Sequence, residues 1–130
     1  MRQPWLRFFI LATALLSPAG DAYAQTRPAQ PFNPVGRWRF FHTDGSPFVA
    51  RLGGDQTAAT TFGYGETGIW RWEGPAVRVI YTDGWDDLLS RNSDGSFTKS
   101  GWAPGADRCA PPSNHTRAEF VDGNPGPPLR

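Results

Sequence analysis

Apolar and polar residues alternate along much of the chain, which is the pattern of strands with one buried face. The clearest alternation lies in residues 68–89, GIWRWEGPAVRVIYTDGWDDLL. Val, Ile, Tyr and Trp favour strands there, and residues 73–75 (Glu-Gly-Pro) and 83–84 (Asp-Gly) interrupt the alternation as turns. This stretch therefore predicts three antiparallel strands joined by two tight turns.

Turn signals recur along the rest of the chain at intervals of about eight to twelve residues, the spacing of an all-β sandwich or barrel. Strands are predicted at residues 35–42, 48–52, 57–62, 69–72, 76–82, 85–89, 96–102 and 115–121. About eight short sequential strands favour a single antiparallel up-and-down barrel, because closure removes the exposed sheet edges. A two-sheet β-sandwich is the alternative fold. The two differ in whether the first strand pairs with the last.

The beginning of the chain has the composition of a secretory signal peptide. Arg2 and Arg7 supply positive charge, an apolar run follows, and Ala22-Tyr23-Ala24 gives a small-x-small pattern before Gln25. The apolar run is too short to span a bilayer as a helix. Residues 1–24 are therefore predicted to be a signal peptide, with export to the periplasm or the exterior and no membrane insertion after its removal.

Proline-rich segments flank the predicted strands. Residues 25–34, QTRPAQPFNP, predict a linker, and residues 122–130, DGNPGPPLR, predict a disordered tail. The predicted β-barrel domain is then residues 35–121. No segment predicts a helix in that domain.

The charge balance narrows the choice of partner. The chain has 13 basic and 12 acidic residues, and loss of Arg2, Arg7 and Asp21 with the signal peptide leaves 11 of each. A neutral mature chain argues against nucleic acid and against docking on anionic lipid. The single cysteine, Cys109, has no partner for an internal disulfide, and we expect a partly shielded, inert thiol. The expected partners are a small-molecule ligand or another exported protein.

Strand parity indicates which side chains face the barrel interior. If Trp38 points inward, Phe40 and His42 do so as well, since side chains alternate along a strand. Asp87 shares a face with apolar neighbours, so its carboxylate must meet a hydrogen-bond donor or a ligand. Aromatic rings at strand ends beside turns suit the mouth of a cavity. The predicted ligand-contacting residues are His42, Trp70, Trp72, Tyr81, Trp85, Asp87 and Trp102.

Each of these assignments has a structural alternative. Trp38 and Trp70 also suit the hydrophobic core, because large inward aromatic residues are common core residues. Asp87 also suits a structural hydrogen-bond acceptor. The Asp-Gly pairs at residues 44–45, 83–84, 94–95 and 122–123 are predicted to form turns.

Gly36-Arg37-Trp38, at the start of the first predicted strand, resembles the Gly-x-Trp signature of the calycin barrels, the lipocalins and avidins. The resemblance covers this strand and the number of strands. It implies a barrel that binds small molecules, in which Trp38 is structural and closes one end, and Arg117 packs across it. The chain departs from most lipocalins in its shorter length, in having no predicted helix after the barrel, and in lacking paired cysteines.

The sequence favours a ligand-binding barrel that holds a sugar or a flat apolar molecule against inward aromatic rings. A protein-interaction or inhibitor domain with a filled barrel is the first alternative, and a small single-barrel enzyme using Asp87, His42 and Tyr81 is the second. No metal-ligand spacing, phosphate loop or nucleophile motif is present in the sequence. No cofactor, no metal and no catalytic residue are therefore predicted.

Overall fold

The structure is a computed structural model that describes residues 32–127. The predicted signal peptide, most of the predicted linker and the end of the predicted tail lie outside the described residues. The described chain forms eight strands: β1 (Gly36–Phe41), β2 (Pro47–Leu52), β3 (Thr57–Thr60), β4 (Glu66–Glu73), β5 (Ala76–Tyr81), β6 (Asp86–Arg91), β7 (Phe97–Trp102) and β8 (Asn114–Asp122). Within residues 32–127 there is no helix, and hence none long and apolar enough to cross a membrane.

The eight strands form one closed antiparallel barrel in sequential order, so the predicted all-β up-and-down fold is confirmed. Closure depends on β1, which pairs with β2 on one side and with β8 on the other. Trp38 lies opposite both Ala50 in β2 and Phe120 in β8. The sandwich alternative is thereby excluded, because the first and last strands share a ladder.

A glycine at the start of β1 permits this closure. Gly36 has φ of 145°, and a Cβ there would lie 2.3 Å from the main-chain oxygen of Asp122 in β8. No side chain fits in that space. The adjacent Arg37 and Arg39 pair with Asp122 and Glu119 across the same seam on the outer surface. The first residue of the Gly-x-Trp signature is thus required by the approach of the last strand.

The core lies inside the barrel, towards one end. Trp38, Phe40, Leu52, Val77, Val79 and Leu89 are its largest fully buried side chains. Phe32 packs edge-on against Trp38, Trp72 and Phe97, with ring centres 5.0 to 6.0 Å apart, and closes this end. The indole N–H of Trp38 donates to the Pro34 carbonyl at 2.9 Å. Packing against the barrel therefore begins within the segment that the sequence predicts to be a linker.

Aspartates in the turns fix the hairpins. Asp44, Asp83, Asp94 and Asp122 each accept a hydrogen bond from the main-chain N–H two residues later. This is the Asx turn expected at Asp-Gly sequences, so the predicted turn role of these aspartates is confirmed. Asp55 does the same for Thr57 without a following glycine. These contacts stabilise the β1–β2, β2–β3, β5–β6 and β6–β7 turns, and Asp122 makes the same contact after the last strand.

The long connection between β7 and β8 covers the outer face of the barrel. Arg108 in this connection donates to Asp86 and Glu73 at 2.9 Å each, and its guanidinium stacks 4.6 Å from the centre of the Trp102 ring. Cys109 beside it is exposed, which corrects the expectation of a shielded thiol. The main-chain N–H of Cys109 bonds to Asp107, which holds the residue on the surface.

Candidate functional site

The barrel contains an open cavity at the end opposite Phe32. Its volume is about 540 Å³, within the range of small-molecule sites. Fourteen residues line it: His42, Thr43, Asp44, Ser46, Phe48, Thr60, Phe62, Glu66, Tyr81, Asp83, Trp85, Asp87, Lys99 and Asn114. Alternate hairpins of an up-and-down barrel point to the same end, so the β1–β2, β3–β4 and β5–β6 turns all reach this mouth.

Aromatic rings form one wall of the cavity. The His42 ring centre lies 4.6 Å from that of Phe48 and 4.8 Å from that of Phe62. Phe48 and Phe62 are 5.9 Å apart and complete the cluster. Trp85 lines the cavity from the β5–β6 turn. These rings offer flat apolar surface to a bound molecule.

Three polar side chains lie deep in the cavity and are almost completely buried. Tyr81, Asp87 and Lys99 are 6%, 3% and 4% exposed. The Tyr81 hydroxyl donates to Asp87 Oδ2 at 3.1 Å, and Lys99 Nζ lies 3.8 Å from Asp87 Oδ1. The ammonium also lies 5.7 Å and 5.3 Å from the ring centres of Phe40 and Phe48. We call Tyr81, Asp87 and Lys99 the polar floor.

Burial controls the protonation of the polar floor. Desolvation raises the pKa of Asp87 to about 6, although Lys99 and Tyr81 favour its charged form. Desolvation also lowers the pKa of Lys99, against the attraction of Asp87. The pKa of Tyr81 is raised well above its ordinary value, chiefly by burial and then by the Asp87 charge. Burial therefore disfavours the charged form of all three groups, whereas Asp87 and Lys99 each favour the charged form of the other.

Gly101 allows Asp87 to pack closely against β7. A Cβ at this position would lie 2.8 Å from Asp87 Oδ1, 3.6 Å from the Asn114 Cβ and 3.7 Å from the Trp85 ring. Asn114 is held by a hydrogen bond from its Nδ2 to the Thr43 hydroxyl at 3.0 Å. Its Oδ1 is buried and has no hydrogen-bond partner in the described chain. This acceptor is therefore left unsatisfied by the described chain, which is uncommon for a buried polar atom.

The structure brings four of the seven predicted ligand-contacting residues to this cavity: His42, Tyr81, Trp85 and Asp87. Trp70 and Trp72 lie elsewhere. Trp70 belongs to the core, and its indole N–H donates to the Gly53 carbonyl at 2.7 Å. Trp72 stacks edge-on against Phe32 at 5.2 Å, at the closed end. Inward parity alone does not show which end of the barrel is open.

Trp102 lies on the outer face of β7. Its indole N–H donates to the Ala110 carbonyl at 3.0 Å, beneath the β7–β8 connection. The alternate residues Lys99 and Gly101 are the ones that face inward. Each face of β7 carries one large aromatic residue, Phe97 inward and Trp102 outward, so hydrophobicity alone does not select the parity.

Arg117 does not pack across Trp38 as the resemblance implies. Its guanidinium stacks 4.0 Å from the centre of the Phe41 ring. Ala118 is buried, so alternation along β8 turns Arg117 to the outer face. Aromatic rings take the expected place of the arginine: Phe97 and Phe120 lie 4.8 and 5.1 Å from Trp38.

Sequence reasoning missed Lys99, Gly101, Asn114, Phe48 and Phe62. Lys99 is the one lysine in the sequence and lies in a predicted strand, which could have marked it as a candidate site residue. The sequence did not show which residues of β7 face the barrel interior. Gly101 lies opposite Asp87 in the β6–β7 register, so this pairing brings the glycine and the carboxylate together.

Within residues 32–127 no group of three or more His, Cys, Asp and Glu side chains is arranged to hold a metal ion. His42 and Asp87 both line the cavity, but the imidazole packs on the phenyl rings of Phe48 and Phe62. The arrangement can bind a molecule by stacking and by a few buried hydrogen bonds.

Comparisons with protein-family models, with curated protein sequences and with solved structures find no significant match. The closed eight-stranded antiparallel barrel is compatible with a small calycin-like barrel. The resemblance of Gly36 and Trp38 to the calycin signature is therefore supported by the barrel architecture alone.

Proposed function

We propose that this protein is an exported binding protein that holds one small molecule in the open end of its barrel. The observation that carries the proposal is the polar floor: Asp87 and Lys99 are buried at the bottom of an aromatic-lined cavity of about 540 Å³. Burying an ion pair in a barrel costs desolvation energy that apolar residues would avoid. A role in orienting a ligand would explain why this ion pair is buried there.

The cavity favours this proposal over an interaction domain with a filled barrel. Space for a ligand is present, and side chains of both polarities line it. Phe62, in the β3–β4 turn, lines the cavity and is partly exposed. Its ring is well placed to contact a ligand as it enters. Export of the mature chain, to the periplasm or the exterior, is part of the proposal and rests on the predicted signal peptide.

Two substitutions of the same kind on opposite faces of the barrel test the proposal. Thr60 is buried and lines the cavity, so Thr60→Phe fills part of it. Thr98 alternates with the inward Lys99, so Thr98→Phe adds the same ring to the outer face. The neutral fluorescent probe N-phenyl-1-naphthylamine is titrated into each purified protein. We expect saturable binding to the wild type and to Thr98→Phe, and at least tenfold weaker binding to Thr60→Phe.

Thermal denaturation with a library of small molecules provides the second measurement, since a ligand that binds only the folded state raises the melting temperature. Trp85 lines the cavity, so binding should also change tryptophan fluorescence. Equal probe binding by both variants, or no saturable signal with any compound, would contradict the proposal.

A further inference from the structure

Two atoms of the polar floor lack the hydrogen bonds that their chemistry permits. Lys99 Nζ carries three N–H donors, and within residues 32–127 its one charged partner is Asp87 Oδ1, at 3.8 Å. That distance is too long for a hydrogen bond. Asp87 uses Oδ2 for the Tyr81 hydroxyl. A donor and an acceptor are thus available 3.8 Å apart.

The positions of these atoms favour a molecule with a donor next to an acceptor. Asp87 Oδ1 and Lys99 Nζ are neighbours, and both residues line the cavity. An N–H of the ligand would satisfy Asp87 Oδ1. An adjacent carbonyl oxygen would accept from Lys99. A molecule without an adjacent donor and acceptor would leave these buried polar groups unpaired, and its binding would be weaker for that reason.

Charge disfavours an anion in the cavity, and a cation at the floor would lie beside the Lys99 ammonium. The ammonium and carboxylate of the floor neutralise each other, so a buried ionic group on the ligand would have no counter-charge of its own. Asp44, Glu66 and Asp83 also line the cavity. Their carboxylates repel an approaching anion, at least at low salt. An uncharged ligand avoids both costs.

The walls indicate the shape of the ligand. His42, Phe48 and Phe62 cluster within 5.9 Å of one another, and Trp85 also lines the cavity. Flat rings stack on such surfaces at little entropic cost. We infer that the ligand is an uncharged planar heterocycle with adjacent carbonyl and N–H groups, such as a cyclic imide, lactam or pyrimidinedione, directed edge-on to Lys99 and Asp87. This inference rests on the proposed function.

A matched pair of probes tests the ligand class. Quinazoline-2,4-dione is planar and uncharged and has carbonyl and N–H groups side by side. Its 1,3-dimethyl derivative keeps the rings and carbonyls but has no N–H. Isothermal titration of the wild-type protein should give at least tenfold tighter binding of the unmethylated compound. Benzyltrimethylammonium, benzoate and methyl β-glucoside, the cation, anion and sugar controls, should bind more weakly than it does.

A substitution of Lys99 tests the proposed contact between its ammonium and the ligand carbonyl. Lys99→Met keeps a long side chain without a donor, and it should weaken quinazoline-2,4-dione binding about tenfold more than it weakens N-phenyl-1-naphthylamine binding. The naphthylamine shows that the cavity is intact, so a loss confined to the dione is not a folding defect.

The outcomes separate the two proposals. Suppose that naphthylamine binds, but the dimethyl compound binds as tightly as the parent dione, or a charged or sugar control binds more tightly than the dione. The proposed ligand class is then wrong, and the proposed binding function stands. An unchanged dione affinity in Lys99→Met would also overturn the ligand class. If neither the naphthylamine nor any probe binds the wild type, both proposals fail.

Discussion

The ammonium of Lys99 lies 3.8 Å from Asp87 Oδ1, and both side chains are 5% exposed inside the barrel. The two residues are on neighbouring strands, β6 and β7, and each alternates with outward side chains. Neither charge reaches bulk water, so each is the other's main electrostatic partner. This pair defines the inner limit of the cavity and is the basis of the pH dependence predicted next.

Asp87 should make stability depend on pH. Its pKa is about 6 in the folded protein against an ordinary 3.8, so the folded state binds the proton more tightly. The resulting stabilisation is fully present below the ordinary pKa and is lost as pH rises through about 6. The difference corresponds to roughly 3 kcal/mol. Urea unfolding of the wild type and Asp87→Asn at pH 4 and pH 7 should show this change in their stability difference.

Asp94→Asn is the control for this pH dependence. Hydrogen bonds from Ser96 lower the pKa of the exposed Asp94, so its titration lies below the range tested. Its variant should keep the wild-type dependence between pH 4 and pH 7. A stability difference between wild type and Asp87→Asn that stays constant over this range would contradict the raised pKa of Asp87.

Trp38 should be essential for stability. It is 1% exposed, contacts three aromatic rings and bonds to the Pro34 carbonyl. Trp38→Ala is expected to cost about 3–5 kcal/mol, as large core truncations do. Trp38→Phe keeps part of the packing and should cost less. Urea denaturation measures both, and a loss below about 1 kcal/mol for Trp38→Ala would be inconsistent with its place in the core.

Gly36→Ala should weaken barrel closure. The new Cβ would meet the Asp122 main-chain oxygen, and the φ of 145° is unfavourable for alanine. Gly45 has φ of 86°, and a Cβ there would meet no atom within 4 Å, so Gly45→Ala is a control with backbone strain alone. Hydrogen exchange should show faster exchange of β1 and β8 amides in Gly36→Ala. Equal exchange in Gly36→Ala and Gly45→Ala would show that this steric contact is unimportant.

Trp85→Ala should separate binding from folding. Trp85 lines the cavity beside Gly101, whereas Trp38 lies in the core. We expect binding of N-phenyl-1-naphthylamine to weaken about tenfold, with a smaller loss of stability than in Trp38→Ala. Fluorescence titration and urea denaturation of the two variants test this. Unchanged affinity in Trp85→Ala would remove Trp85 from the site.

The mature protein should begin at Gln25. Ala22-Tyr23-Ala24 provides the small-x-small pattern recognised at signal cleavage sites. Mass spectrometry of protein recovered from the extracytoplasmic fraction should give the mass of residues 25–130. Recovery of an intact Met1 terminus in the cytoplasm alone would contradict both cleavage and export.

The sequence by itself determined the number of strands, their order and the turns between them. Each hairpin depends on local chemistry: Asp83-Gly84 forms its turn from neighbouring atoms, and the alternation in residues 76–82 needs no distant partner to identify a strand. Inward parity was also readable where large apolar residues dominate one face, as for Trp38 and Phe40 in β1. These features depend on neighbouring residues, so the pattern within a single strand or turn is enough to predict them.

Only the tertiary structure decided which residues form the cavity. In β7 each face carries one large aromatic residue, Phe97 inward and Trp102 outward, so the pattern does not select a parity. Trp102 is covered from outside by Ala110 and Arg108, and Lys99 points inward to Asp87. The open end was also undetermined, because it depends on Phe32 plugging the opposite end beside Trp72. Both facts depend on contacts between residues far apart in the chain. Alternation within a strand gives two possible faces, and long-range packing selects one of them.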